Sequence, residues 1–140
     1  MIIYCAGSIK GDTKYQKYYK EIIDYLASIG HTALSELNEE FRTSVPLTEK
    51  QIFKRDIKWI ESSSFVIAET TSSSTGVGFE IAYSLFCLKK PVLALYKKGE
   101  NSLSAMVSGC NSEILILKSY SDSEDLKKTI SQYINEIENG

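Results

Sequence analysis

A chain of 140 residues, 43% apolar and 24% charged, has the size and composition of one globular domain, which argues against a disordered chain or a two-domain assembly. Its 16 basic and 18 acidic residues leave a net charge of -2 and form no basic stripe of the kind that polymeric DNA or RNA requires. Three cysteines without CxxC spacing and a single histidine supply no zinc set, and no apolar run approaches the roughly 20 residues that cross a bilayer. The expectation is a reduced, cytoplasmic protein without metal or organic cofactor. The run Ile2 to Ala6 is too short for a signal peptide and lacks its basic leader.

Short apolar runs then alternate with helical patterns, the sequence signature of βαβ units around a parallel sheet. Five strands are expected: Ile2 to Ala6, His31 to Leu34, Phe65 to Ala68, Val92 to Tyr96 and Ile114 to Leu117. The last three are continuous apolar runs, as strands covered on both faces tend to be. Between the first two strands, Tyr15, Tyr18, Tyr19, Ile22, Ile23 and Leu26 recur at helical spacing and predict a helix over Lys14 to Ile29, stopped by Gly30. Thr48 and Gln51 have capping-box spacing ahead of a helix with the apolar stripe Ile52, Phe53, Ile57 and Ile60. A third helix is expected after a Gly76-Val77-Gly78 turn, carrying Ile81, Leu85 and Leu88. The last one carries Leu126, Ile130, Tyr133, Ile134 and Ile137 behind the acidic start at Asp122, Glu124 and Asp125. The fold class that follows is α/β: a single-domain, Rossmann-like (flavodoxin-like) three-layer sandwich with a five-stranded, mainly parallel sheet.

Ligands of such sheets bind beyond the carboxyl ends of the strands. Two loops there stand out: Gly7-Ser8-Ile9-Lys10-Gly11-Asp12-Thr13, and the hydroxyl-rich stretch Glu69 to Gly78. The second suits an anion, because side-chain hydroxyls and the free N–H groups of a helix start converge. It also suits a solvated turn with a capped helix. It is neither a phosphate loop of the GxxxxGK[ST] type nor a dinucleotide fingerprint, since Ile81 stands where the last glycine would fall.

Glu80 is expected in the first turn of the third helix, where the macrodipole would keep it ionised and fit for nucleophilic attack; a glutamate there is also an ordinary helix stabiliser. Asp56 falls among Ile52, Phe53 and Ile60 on an apolar helix face. A buried ion pair with Lys10 or Arg55, a helix turned to bring the acid to the rim, and a catalytic carboxylate all account for it. Two carboxylates flanking an anomeric carbon are what glycoside chemistry needs, one to attack and one to help the leaving group take a proton. Tyr4 fits either a core tyrosine or a phenol offered to a carboxylate or sugar hydroxyl.

With those residues in order, the chain resembles the 2'-deoxynucleoside 5'-phosphate N-hydrolases, within the wider nucleoside 2-deoxyribosyltransferase superfamily. The likeness runs from Tyr4 to about Gly109 through Gly7-Ser8-Ile9-Lys10-Gly11, Asp56-Ile57-Lys58-Trp59-Ile60, Ala68-Glu69-Thr70, Ser74-Thr75-Gly76-Val77-Gly78-Phe79-Glu80 and Leu103-Ser104-Ala105-Met106. It implies one nucleoside deoxyribosyltransferase-like domain over residues 1–140 that hydrolyses the N-glycosidic bond of a deoxynucleoside 5'-monophosphate, without metal or cofactor. Glu80 would be the nucleophile that carries a glycosyl intermediate, assisted by Asp56 and Tyr4. The Gly7 to Thr13 loop would line base and sugar, and Ser74 with Gly76 would hold the 5'-phosphate. Ser104, with Ala105 and Met106 beside it, would complete the phosphate site from a neighbouring subunit of a homodimer. Deoxyribosyl transfer, ribonucleotide hydrolysis and nucleotide sensing without turnover are the alternatives. Lys10-Gly11-Asp12 replaces the family's frequent Arg-Gly-Gly, and Leu37 stands near a histidine of animal members. Both differences bear on base preference, since lysine offers a point charge where arginine offers a planar fork.

Overall fold

Alternation within strand β1 (Ile2–Ala6) sets the layering of the molecule. Ile3 and Cys5 join one apolar cluster, while Tyr4 and Ala6 join another on the opposite face of the sheet. The computed structural model describes residues 1–100 and 103–140. Its sheet has the order β2-β1-β3-β4-β5, where β2 is Thr32–Leu34, β3 Phe65–Glu69, β4 Val92–Lys97 and β5 Leu115–Tyr120, and every neighbouring pair is parallel. This is the expected five-stranded, doubly wound arrangement.

On one face lie α1 (Gln16–Ser28) and α5 (Ser123–Asn139), packed through Ile22, Leu26, Leu126 and Ile130 against Ile3, Phe65 and Leu93. On the other lie α2 (Glu49–Ser62) and α3 (Thr75–Ala82), which bring Ile60, Val77 and Ile81 to Tyr4, Val66 and Val92. Full burial of a side chain such as Ile60 stabilises by about 1.5–3 kcal/mol, so these two stripes carry most of what holds the layers together.

Several expectations at element ends are met. Gly30 sits at φ +89 after α1, a conformation that glycine adopts without steric penalty. Thr48 and Gln51 form the capping box, with Gln51 N donating to Thr48 Oγ1 at 3.2 Å and Thr48 N to Gln51 Oε1 at 2.8 Å. Asp122 caps α5 by accepting from Asp125 N at 2.8 Å.

Other expectations are corrected. α1 starts at Gln16 rather than Lys14, behind a loop whose own hydrogen bonds occupy residues 12 to 15. β5 runs from Leu115 to Tyr120 and is an edge strand, so its apolar run is only partly covered instead of being enclosed on both faces. Gly76 and Gly78 lie inside the first turn of α3, not in a turn ahead of it, because Ser74 caps the helix by accepting from Val77 N at 3.3 Å. α3 continues into one π-helical turn over Tyr83–Cys87, and a short helix α4 (Ala105–Ser108), absent from the expectation, is capped by Ser104.

The chain leaves β1 toward β2 and returns on the other side to β3. This reversal opens a crevice at the carboxyl ends of β1 and β3, the usual ligand position of a doubly wound sheet. No helix among the described residues is long and apolar enough to cross a membrane.

Candidate active site

A cleft of about 750 Å³ occupies that crevice, within the usual range for a small-molecule site. Its walls come from the loop after β1, from Glu36 just past β2, from one face of α2, and from the first two turns of α3 with the serines ahead of them. Glu80 and Asp56 both line it. The hydroxyl of Tyr4, reaching up from β1, donates a hydrogen bond to Glu80 Oε2.

The electrostatics overturn one expectation. Glu80 is the sixth residue of α3, in its second turn, where the macrodipole has faded. Burial pushes its pKa up to about 7, and the nearby carboxylates Asp56 and Glu36 push the same way, against the hydrogen bond from Tyr4 and the charge of Arg55. Glu80 is thus poised near neutrality rather than held firmly ionised. Asp56 is also raised, chiefly by burial, with Arg55 opposing through a hydrogen bond and its charge. Burial and the adjacent acids keep the Tyr4 phenol far above its ordinary range, so it donates and does not ionise.

Asp56 reconciles two of its readings. It pairs with Arg55, whose Nε donates to Asp56 Oδ1 at 3.0 Å, and it also faces the cleft. The ion pair uses Arg55 rather than Lys10. Arg55 lies 4.6 Å over the Trp59 ring and reaches Glu36 at 3.8 Å, so one stacked guanidinium serves two carboxylates. The stripe of α2 that predicted burial is mostly cleft wall: Ile52, Phe53 and Ile57 line it, and only Ile60 enters the core.

The other predicted site residues divide. Gly7, Ile9, Lys10 and Gly11 line the cleft, as do Ser74 and Gly76 at the start of α3. A side chain at Gly7 would collide with the ring of Tyr19, and Gly11 sits at φ +80. Ser8 instead donates to Lys10 O at 3.0 Å and offers its carbonyl to Gln16, bracing the loop from behind. Asp12 accepts from Lys14 N at 3.0 Å, and the Thr13 carbonyl accepts from Gln16 N at 3.0 Å, so both shape the entry to α1. These three are not among the cleft walls. Ser104 and Met106 border a neighbouring depression of about 400 Å³, which shares Ser73, Ser74 and Val77 with the cleft, and Ala105 lies next to them in α4. Within one chain these residues do not meet the acids.

Sequence reasoning missed Glu36, Phe53 and Phe79 as cleft residues. Phe53 and Phe79 are 55% and 54% exposed and meet edge to face at 6.1 Å, forming an apolar lip. The position of Glu36 just past β2 was a readable signal, because carboxyl-end loops supply ligand groups.

The family model described as nucleoside 2-deoxyribosyltransferase matches residues 3–131 of this chain. The chain belongs to the nucleoside 2-deoxyribosyltransferase family. Among its relatives in this family is a Methanosarcina barkeri protein provisionally named 2'-deoxynucleoside 5'-phosphate N-hydrolase 1, 37% identical over 94% of this chain and 84% of its own. Another is an Esox lucius protein named 5-hydroxymethyl-dUMP N-hydrolase, 34% identical over 95% of both chains. The fold is also shared with the Clostridium botulinum CMP N-glycosidase, at TM-score 0.68 and 17% identity over 94% of this chain and 98% of that one. The Bacillus psychrosaccharolyticus 2-deoxyribosyltransferase, at TM-score 0.66 and 19% identity over 89% of each chain, has it too. Residues 3–131 of the nucleoside 2-deoxyribosyltransferase match include all the walls of the cleft.

Proposed function

We propose that this protein is an N-glycosidase that hydrolyses 2'-deoxynucleoside 5'-monophosphates to a free nucleobase and 2-deoxyribose 5-phosphate. The observation that carries the reading is the convergence of Glu80, Asp56 and the Tyr4 hydroxyl in one cleft, beside the N-terminus of α3. The names of the relatives support the same chemistry.

In this mechanism the Glu80 carboxylate attacks C1' of the sugar. The C1'–N bond breaks as the C1'–O bond forms, and the departing base takes a proton from a water held against the Asp56 carboxylate. The hydroxide so formed attacks C1' and releases the Glu80 carboxylate, so the two steps together consume one water. Tyr4 holds Glu80 in line by its hydrogen bond and offsets part of the desolvation cost of the charged form. Glu80 takes the larger rise and Asp56 keeps its ion pair with Arg55, so the first proton to bind the pair goes to Glu80, and the active form is the one from which it has gone.

The 5'-phosphate belongs at Ser74 and Gly76, where the free N–H groups of the first turn of α3 and its dipole favour an anion. Base and sugar then lie along Gly7, Ile9, Lys10 and Gly11, with the Phe53 and Phe79 lip closing over the base. Ser104, with Ala105 and Met106, would reach the phosphate of a second subunit in a homodimer. The exposed side chains of Phe86 and Met106, the latter 85% exposed, support an apolar face for that association. We take the enzyme to act in a reducing, cytoplasmic setting, which suits its three free thiols.

Incubation of the purified protein with each deoxynucleoside monophosphate, ribonucleoside monophosphate and free nucleoside, with base release followed, tests the assignment. Release from deoxynucleoside monophosphates alone is the expected result. Preference for nucleosides would remove the phosphate from the argument, and base exchange in place of hydrolysis would reassign the enzyme to transfer. Binding of monophosphates without any turnover would favour a sensing module.

A further inference from the structure

We infer that Glu69 is a positioning residue for the substrate phosphate: its buried carboxylate, closed by Thr71 and Tyr120, fixes the loop that presents Ser74 and the N-terminus of α3. The inference rests on the phosphate-binding reading above.

Glu69 ends β3, is 4% exposed, and is not among the walls of the active-site cleft. Its oxygens are filled by donors from two segments. Thr71 N donates to Oε1 at 2.8 Å, Thr71 Oγ1 donates to Oε2 at 2.8 Å, and the Tyr120 hydroxyl, from the end of β5, donates to Oε2 as well. Thr71 Oγ1 in turn accepts from Lys97 N at 2.9 Å, at the end of β4. Thr70 is tied to Leu95 O through both its N, at 2.8 Å, and its Oγ1, at 2.9 Å. The first two loop residues are therefore locked onto the carboxyl end of β4, Glu69 itself is tied to that of β5, and Ser74 caps α3 three residues after Thr71.

A buried carboxylate costs more to desolvate than an apolar side chain of like size, and burial pushes Glu69 upward while Tyr120 and Thr71 draw it back. A closed polar network of this kind specifies one conformation of the segment it ties. What that segment offers is preorganised donors for an anion, the property that phosphate recognition requires. Glu80 is held separately, by Tyr4. Loosening the loop should therefore cost phosphate contacts before it disturbs the nucleophile.

The test is E69Q, whose amide keeps the shape but turns one acceptor into a donor facing the donors of Thr71 and Tyr120. KM for a deoxynucleoside monophosphate and Ki for inorganic phosphate should both rise about tenfold, with kcat little changed. Any slow release from the phosphate-free deoxynucleoside should be unaffected. Tyr120→Phe, which removes a single hydroxyl, should move KM and Ki in the same direction by a smaller factor, and it decides the matter if E69Q does not fold. A fall in Tm with KM and Ki unmoved would mean that the network is structural only and would overturn the inference, as would a loss of kcat at constant KM. A wild-type protein that turned over no monophosphate would sink the functional reading instead, and direct binding of inorganic phosphate to the same variants would still judge the clamp.

Discussion

The Tyr4 hydroxyl donates to Glu80 Oε2, joining the middle of β1 to the second turn of α3 across 76 residues of sequence. Tyr4 is at once a core residue of the α2/α3 face and the partner of the proposed nucleophile. The bond favours the charged form of Glu80, while burial, Asp56 and Glu36 favour the neutral one.

With Glu80 at about 7, kcat/KM should fall on the acidic side with an apparent pKa near neutrality. Tyr4→Phe removes the stabilising bond, so the acidic limb should move to higher pH and kcat should drop by about tenfold to a hundredfold. A pH–rate profile of both proteins checks this. An unmoved limb would mean that another group governs it.

Glu80→Gln should abolish base release and leave monophosphate binding measurable. It should also stabilise the fold in a pH-dependent way. The folded pKa of Glu80 lies above its unfolded value of 4.5, so the native state binds the extra proton and stability is lost as pH rises from about 4.5 through about 7. The amide carries no charge and avoids that loss, on the order of 3 kcal/mol at pH 8 for a shift of this size. Thermal melts at pH 5 and pH 8 should show the Tm of the variant exceeding wild type mainly at the higher pH.

Asp56→Asn removes a charge that raises Glu80, so the acidic limb should shift to lower pH even as turnover falls. The loss should be greatest for bases that leave poorly, since the proposed role of Asp56 is to hold the water that delivers the proton. Arg55 keeps an acceptor in the amide oxygen but loses its charged partner, while the desolvation cost of the buried acid is also removed, so stability should change little. Comparing good and poor leaving groups separates the catalytic loss from a structural one, because lost stability would lower all substrates alike.

Gly7→Ala would drive a methyl group into the Tyr19 ring, whose hydroxyl bonds Cys5 O at 3.0 Å and also meets Ser35. Overpacking of this kind costs about 1–3 kcal/mol, and the cleft loop should be displaced with it. Denaturant melts should give a lower midpoint at unchanged slope. An unaltered midpoint would show that the ring yields freely.

Much of the fold was legible because it is written locally. Helical periodicity in α1 and α5, the capping box at Thr48 and Gln51, and the alternation of apolar runs with helices are all set by hydrogen-bond geometry within a few residues. Local reading failed where two local rules competed. Gly76 and Gly78 suggested a turn, yet the Ser74 cap starts α3 ahead of them. The stripe on α2 suggested core, yet most of it faces the cleft, because periodicity marks a face without saying what covers it.

Sequence by itself therefore determined the sheet, its doubly wound class, the family likeness and the candidacy of Glu80, Asp56 and Tyr4. Tertiary structure alone decided that these three meet, that Arg55 pairs with Asp56, and that Glu80 titrates near neutrality instead of being held ionised by its helix. The reason is physical. Desolvation and the approach of Asp56 and Glu36 depend on distances between segments remote in sequence, and at this site they outweigh the short-range field of the helix start.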